Sequence, residues 1–560
     1  MVKKHEAKQM NLPHRLRRIK VDGFLIIALL GGFFFCLYGI NWGRLESWHP
    51  DQMAFRGLFR EGEIPLNPGY FLKPPFYTYY IFFLARLPLR IFEKIFRIPS
   101  ETIEPLLLSW SRVLTVFLFL GSLILVFQIT KRFFGLFPAR IITLVFATSA
   151  NFIVHSHYLT TDIPVIFVML VAFYFTQNIL LKGRLSDYAL AGFFTGIATA
   201  TKYNGLAIGI AIVVAHVLSL SSISWKKLLF SKKLILGLSM VIIGFLAGNP
   251  FALIDYSTFI SDFLYNYAIT PVYSGETGHS YWQFFLTLPT IIGWPSLLIS
   301  SIAIVFSLYL VFSEKQNWMQ KKAMLLMLSV LLVYYYKFGS FPRVYPRFVM
   351  PIVPLWLIIS GPFWNKIKLN RIVVSILLVI LLGYNTFCSV YVAKRFAEDP
   401  RMIALEWVKE NIPQGSSIEY TYYSPNWNKV PEMNFRGEIM PFIGGRKRVF
   451  KQQFQDNDWL VGKLETAEEE ADDRWYSLES LSERNPEYIS INSMYYSRFI
   501  TGNARELYPS VKQFFSDLIS ENYPYQIVFD RKPKAPPIWI YPQKINPIDT
   551  RTVIFARKDF

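Results

Sequence analysis

Apolar residues in this chain gather into long runs separated by short polar links, and many of the runs approach the thickness of a bilayer. About eleven segments qualify, at roughly 24–40, 108–130, 139–157, 162–181, 188–202, 204–220, 234–253, 288–312, 323–337, 346–362 and 371–393. The pattern changes at Ala397-Glu398-Asp399-Pro400. Charge and turn residues rise from there, and no later run could cross a membrane. In this tail the spacing predicts helices over 402–411 and 511–521, and strands over 416–423, 487–492, 525–530 and 552–556. The expected architecture is a polytopic all-α membrane bundle of about 11 spans followed by a mixed α/β domain.

The polar links set an orientation. Lys3, Lys4, Lys8, Arg15, Arg17, Arg18 and Lys20 precede the first run, which places residues 1–23 in the cytoplasm. Alternating spans then put Lys131 and Arg132, Lys182 and Arg184, Lys226 to Lys233, Lys315 to Lys322, and Lys366 to Arg371 on the same side. Every inner link is basic, as the positive-inside rule requires. The membrane region covers 24–393, with outer loops at 41–107 and 254–287, and the domain 394–560 lies outside. The run from Lys73-Pro74-Pro75-Phe76 to Phe92 is apolar enough to span. Counting it would invert the later loops, so it reads as an amphipathic helix on the outer interface, the alternative being a true span balanced by another. No small-residue cleavage site follows the first run near Gly39 to Arg44, so an uncleaved first span is expected, in a multi-pass protein of the plasma (inner) membrane.

Composition agrees: 52% of the 560 residues are hydrophobic. The net charge of +19 would suit nucleic acid, but much of it sits in short inter-span links, which excludes that partner and leaves membrane lipids. Cys36 and Cys388 both lie inside apolar runs and form no disulfide or zinc pattern.

Ionisable residues at membrane boundaries are costly and therefore informative. On the predicted outer side stand two carboxylates, Asp51 in Trp48-His49-Pro50-Asp51-Gln52 and Asp162 in Tyr158-Leu159-Thr160-Thr161-Asp162. The same side holds Lys73, Lys202, Arg343 and Arg347. Cations of this kind can hold and neutralise a leaving phosphate, while a carboxylate takes a proton from an attacking hydroxyl or amine. Plainer roles compete. Lys73, Lys202, Arg343 and Arg347 can be interfacial anchors, and Asp51 and Asp162 can be helix N-caps. His155 and His157 suggest metal, but positions i and i+2 do not share a helix face.

In this order the motifs resemble the lipid-linked-sugar glycosyltransferases of the GT-C fold, and within them the aminoarabinose transferases of lipid A and the dolichyl-phosphate-mannose protein mannosyltransferases. The resemblance is carried by His49-Pro50-Asp51-Gln52, where Gln52 stands at a more usual Glu, and by Lys73-Pro74-Pro75. Ser111-Arg112, Lys131-Arg132-Phe133-Phe134-Gly135, Asp162, Thr201-Lys202-Tyr203-Asn204-Gly205 and Pro346-Arg347-Phe348-Val349-Met350-Pro351 follow in sequence. It covers about 20–395, with an echo in Glu406 to Pro413. It implies Asp51 and Asp162 as catalytic residues and Lys73, Lys202, Arg347 and Arg343 as donor-phosphate ligands. The implied partners are a polyprenyl-phosphate sugar donor and a glycan, lipid or protein acceptor. Metal use differs within the fold, so a divalent ion shared by Asp51 and Asp162 stays open, and no cofactor is otherwise implied.

Rival classes are less well served. A transporter or flippase usually keeps its charges near mid-membrane in repeated halves, and no repeat is present. An oligosaccharyltransferase of the same fold would carry Trp-Trp-Asp-Tyr-Gly, which Asp473-Arg474-Trp475-Tyr476 is not. A non-enzymatic assembly scaffold leaves the clustered cations unexplained.

Overall fold

The computed structural model describes residues 22–43, 48–51, 64–220, 230–272, 278–313, 318–366, 371–430, 432–443, 457–467, 473–502, 504–534, 537 and 547–559. Each of the apolar runs carries helix. The first ten helices named here are α1 (Gly23–Leu37), α2 (Phe82–Phe96), α3 (Ser100–Phe134), α4 (Leu136–Ala147), α5 (Ala150–Ser156), α6 (Asp162–Leu181), α7 (Leu185–Thr201), α8 (Ile210–Ser219), α9 (Lys232–Gly248) and α10 (Tyr256–Val272). Among the described residues, 6 helices are long and apolar enough to cross a membrane, or 7 when α4 and α5, bent by 57°, count as one. That is fewer than the eleven apolar runs, because several runs form shorter helices: α1 has 15 residues, and α7 and α9 have 17 each.

α7 and α9 show why those runs are rich in small residues. A Cβ on Gly196 or Gly244 would strike the backbone of the facing helix at Val241 or Phe193. Glycine there lets the two backbones touch, which replaces the hydrophobic drive that lipid cannot supply. The buried core runs through α1, α3–α6 and the helices Trp318–Gly339 and Val353–Ile359.

The Lys-Pro-Pro segment enters a π turn, Phe76–Ile81, and continues as α2. α2 buries Phe82 and Arg86 and exposes Leu84, Leu87, Ile91 and Ile95. Arg86 bonds Ser111 of α3 at 3.2 Å. α2 is amphipathic and falls outside the set of helices suited to crossing. The stretch 254–287, read from sequence as an outer loop, is largely helical, with α10 and Tyr281–Leu286 inside it.

Asp162 and the basic residues Lys182, Arg132 and Lys233 stand at opposite ends of α6. Asp162 opens that helix and Lys182 closes it, roughly 30 Å away at 1.5 Å per residue. Near the Lys182 end, Arg132 donates to Asn178 at 2.8 Å and Lys233 to the Gly183 carbonyl at 2.6 Å.

The tail forms a five-stranded sheet in the order β2-β1-β3-β5-β4, with β1 (Ser417–Tyr420), β2 (Arg436–Ile439), β3 (Tyr488–Asn492), β4 (Tyr525–Arg531) and β5 (Thr552–Arg557). β1 pairs parallel with β2 and β3, while β5 runs antiparallel to β3 and β4. Alternation along β5 assigns its two faces. Val553 and Phe555 pack with Phe514 and Phe515 of Pro509–Ile519. Ile554 and Ala556 join a second core that includes Trp42, Trp48 and Tyr158 from the membrane region. The sheet is therefore seated on the bundle through aromatic residues beside the first loop.

Candidate active site

Asp51 sits at the end of the short turn Trp48-His49-Pro50-Asp51, and that turn is pinned from the tail. The Trp42 indole donates to Asp399 at 2.8 Å, and Arg401 lies 4.2 Å over the Trp48 ring. Asp399 and Arg401 are paired at 2.7 Å with both side chains fully buried. Arg112 of α3 donates to the carbonyls of Ile40 and Trp42 and fixes the chain just after α1. Asp51 completes a local cap, its N–H donating to His49 Nδ1 at 3.0 Å.

Two cations from distant segments close on this carboxylate. Lys73 Nζ lies 3.2 Å from Asp51 Oδ1 and also donates to the Asp51 carbonyl at 3.2 Å. Arg347 donates to Asp51 Oδ2. Pro346 starts the helix Pro346–Val349 and aims Arg347 into the site from its first turn. Burial alone would raise the Asp51 carboxyl, but Arg347 and Lys73 outweigh it and hold the group well below the usual carboxylate range. Burial pushes His49 down to about 3, so its ring is neutral.

The second carboxylate lies next door. Tyr158 packs against His49 (4.2 Å between ring centroids) and against His155 (5.5 Å). His155 Nδ1 is 3.1 Å from Asp162 Oδ2, which also accepts from Thr160 at 3.0 Å. Lys202 Nζ meets Asp162 Oδ1 at 2.6 Å. His49 lies in the field of Asp51, Asp162, His155 and Arg347 together. Lys202 reaches this point because α7 ends at Thr201 and the next residues wind into a 3-10 turn, Tyr203–Gly209.

Several sequence expectations meet the structure differently. Asp162 does not occupy the N-cap, which is Thr161; it is the first helical residue, and its oxygens serve side chains rather than the α6 backbone. The dipole of α6 still favours its charge there. Lys202 belongs to Asp162, whereas Lys73 and Arg347 belong to Asp51. Arg343 is exposed, 5.5 Å from the Tyr345 ring, and Arg347 approaches the same ring at 5.7 Å. Gln52 and the helix that Asp51 would cap lie outside the described residues. His155 and His157 diverge: one faces Asp162, and the other stacks on Phe396 at 4.1 Å with its nitrogens near the carbonyls of Ile153 and Tyr38.

Sequence reasoning had no role for His49, Thr160 or Tyr158. The signal was proximity to Asp51 and Asp162 along the chain. Among the described residues no three His, Cys, Asp or Glu side chains gather as a metal site. Each carboxylate is already compensated by a protein cation.

Comparison with known proteins bears on this arrangement. The sequence profile of the dolichyl-phosphate-mannose-protein mannosyltransferase family matches residues 108–248. A search of curated proteins finds no significant match to the sequence. The crystal structure of ArnT from Cupriavidus metallidurans bound to undecaprenyl phosphate superposes with a TM-score of 0.50 at 12% identity, covering 95% of this chain and 97% of that one. Its apo state gives a TM-score of 0.46 at 13% identity, covering 85% and 94%. The oligosaccharyltransferase AglB from Archaeoglobus fulgidus, in complex with an inhibitory peptide and a dolichol-phosphate, gives 0.44 at 12% identity, covering 91% and 73%. The chain therefore carries the GT-C fold and is similar, within its membrane region, to the glycosyltransferases that use lipid-linked sugars.

Proposed function

We propose that this protein transfers a single sugar from a polyprenyl-phosphate donor to a glycan, lipid or protein acceptor at the outer face of the plasma membrane, with inversion at the anomeric carbon. The observation that carries the reading is the grip of Lys73 and Arg347 on Asp51. A base and two phosphate ligands, drawn from segments far apart in sequence, meet at one point. The ligand named for the ArnT structure, undecaprenyl phosphate, supports the donor class.

The chemistry follows from competition for the cations. A donor phosphate offers Lys73 and Arg347 more negative charge than a carboxylate does, and Arg can bind it through a fork of donors. As the cations turn to the phosphate, Asp51 loses the neighbours that depress its pKa and becomes a better base. The acceptor hydroxyl or amine then attacks the anomeric carbon and gives its proton to Asp51. The bond from that carbon to phosphate oxygen breaks, and polyprenyl phosphate leaves with the electron pair, held by Lys73 and Arg347. Asp162, paired with Lys202, orients the acceptor or the sugar. The domain 394–560 faces the same side and frames the acceptor approach.

The direct test is transfer of labelled sugar from polyprenyl-phosphate sugars by the purified chain in detergent, where transport cannot register. Transfer that Lys73→Ala and Arg347→Ala each reduce by weakening donor binding is expected. Failure of any donor to lose its sugar, across a panel of hexosyl and pentosyl lipids, refutes the reading.

A further inference from the structure

The residues that deliver Lys73 have no regular structure. The stretch Asn67-Pro68-Gly69-Tyr70-Phe71-Leu72 is neither helix nor strand, so its backbone groups need partners from elsewhere. Those partners come chiefly from one helix. Asp262 Oδ2 accepts from the Phe71 N–H at 2.8 Å and Asn266 donates to the Leu72 carbonyl at 2.7 Å, while Asp255, just before α10, accepts from the Asn67 side-chain amide at 3.0 Å. Asp262 and Asn266 are four apart and share a face of α10. Tyr203, beside Lys202, donates to the Phe71 carbonyl at 2.7 Å. The Phe71 ring is fully buried and packs edge-on against Phe259 of α10, 5.7 Å between centroids.

Asp262 has a second tie. It is buried, and its other oxygen lies 3.1 Å from Lys463 Nζ. Lys463 belongs to the tail helix Asp458–Ala467, which meets α10 through Leu460 and Ile269, both buried. A buried carboxylate is costly unless both oxygens are used. Here one oxygen holds the loop two residues before Lys73 and the other holds the extramembrane domain.

We propose that Asp262 is a positioning residue for the Lys73 ammonium, and that the C-terminal domain sets donor-phosphate affinity through the Lys463–Asp262 contact. The inference rests on Lys73 being a phosphate ligand. It gives residues 394–560 a part in the donor half of the reaction. The tail helix stiffens α10, α10 fixes Phe71 and Leu72, and Pro74-Pro75 stiffen the chain beyond Lys73. Misplacing a binding group by about 1 Å costs on the order of a hundredfold where geometry is tight, so loosening this path reaches the phosphate without touching it.

The test measures binding of undecaprenyl phosphate to the purified full-length chain, with a double-mutant cycle against Lys73. Asp262→Ala is expected to weaken binding about tenfold, and Lys463→Met, which leaves the loop contact intact, several-fold. Asp262→Asn keeps an acceptor for the Phe71 N–H and falls between wild type and Asp262→Ala. In a Lys73→Ala background all three lose their effect, whereas a merely structural loss would add to that of Lys73→Ala. Additive effects, or unchanged binding by Lys463→Met and Asp262→Asn in a protein with wild-type thermal stability, overturn the proposal. If Lys73→Ala itself binds undecaprenyl phosphate like wild type, it is the functional reading of Lys73 that fails.

Discussion

In the proposed reaction the Asp51 carboxylate is both base and rival to the donor phosphate, and replacing it by Asn separates the two. The change keeps the shape of the side chain and removes its charge and basicity. Loss of a positioned general base costs about 10²–10⁴ in kcat, or roughly 3–5 kcal/mol at 1.36 kcal/mol per tenfold. Donor binding should move the other way. In the wild-type site a phosphate must displace Asp51 from Lys73 and Arg347, and hydrogen bonds to charged groups contribute about 1.5–3 kcal/mol each. The three side chains are 26%, 33% and 29% exposed, so solvent screening reduces that figure substantially. A net gain of about 1 kcal/mol remains, equivalent to roughly fivefold tighter binding of a polyprenyl phosphate. The assay pairs single-turnover sugar transfer with undecaprenyl phosphate binding on the same purified Asp51→Asn chain. Transfer within a few-fold of wild type removes Asp51 from the mechanism. Binding that weakens in parallel with transfer shows instead that Asp51 holds the Lys73 loop in place and is not the base.

Two further outcomes follow from the same geometry. Asp51 in the free protein is held well below the ordinary carboxylate pKa by Arg347 and Lys73, so it stays ionised as pH falls until well past that value. In the proposed reaction donor binding withdraws those cations and raises it. The acid limb of kcat, which reports the loaded protein, should therefore lie at higher pH than the acid limb of kcat/KM, which reports the free one; coincident limbs refute the competition. Gly205 ends the Thr-Lys-Tyr-Asn-Gly turn, and a Cβ there would strike the Ala198 backbone. Gly205→Ala should shift Lys202 off Asp162 and cut transfer at least tenfold; wild-type kinetics would show that the turn absorbs the methyl group.

Much of the membrane region was legible because its signals are local. A run of apolar residues predicts a buried or lipid-facing helix wherever it falls, and each run did become helical. The strands over 488–492, 525–531 and 552–557 were legible for the same reason, since Ile489 and Ile491, or Val553 and Phe555, alternate along one face. β2 was missed: Arg436-Gly437-Glu438-Ile439 is an edge strand with little apolar alternation, and it forms because β1 offers it a parallel partner. α10 was missed because its stretch carries polar residues at the faces that meet other protein. The spacing of Phe259, Phe263, Asn266 and Thr270 was the available signal.

The sequence alone determined that acids and cations cluster near predicted span ends, because charge is expensive in lipid and so marks boundaries wherever it occurs. Only the tertiary structure decided which cation meets which acid. Asp51 and Arg347 are separated by 296 positions, as are other pairs by lesser distances, and no local rule relates them. The division of Lys73 and Arg347 to Asp51, and of Lys202 and His155 to Asp162, arises from where the 3-10 turn after α7, the short helix at Pro346 and the Lys73 loop end when the bundle packs. Those end points are set by close contacts such as Gly196 on Val241 and Phe71 on Phe259, which depend on shape across the whole fold and leave no pattern along the chain.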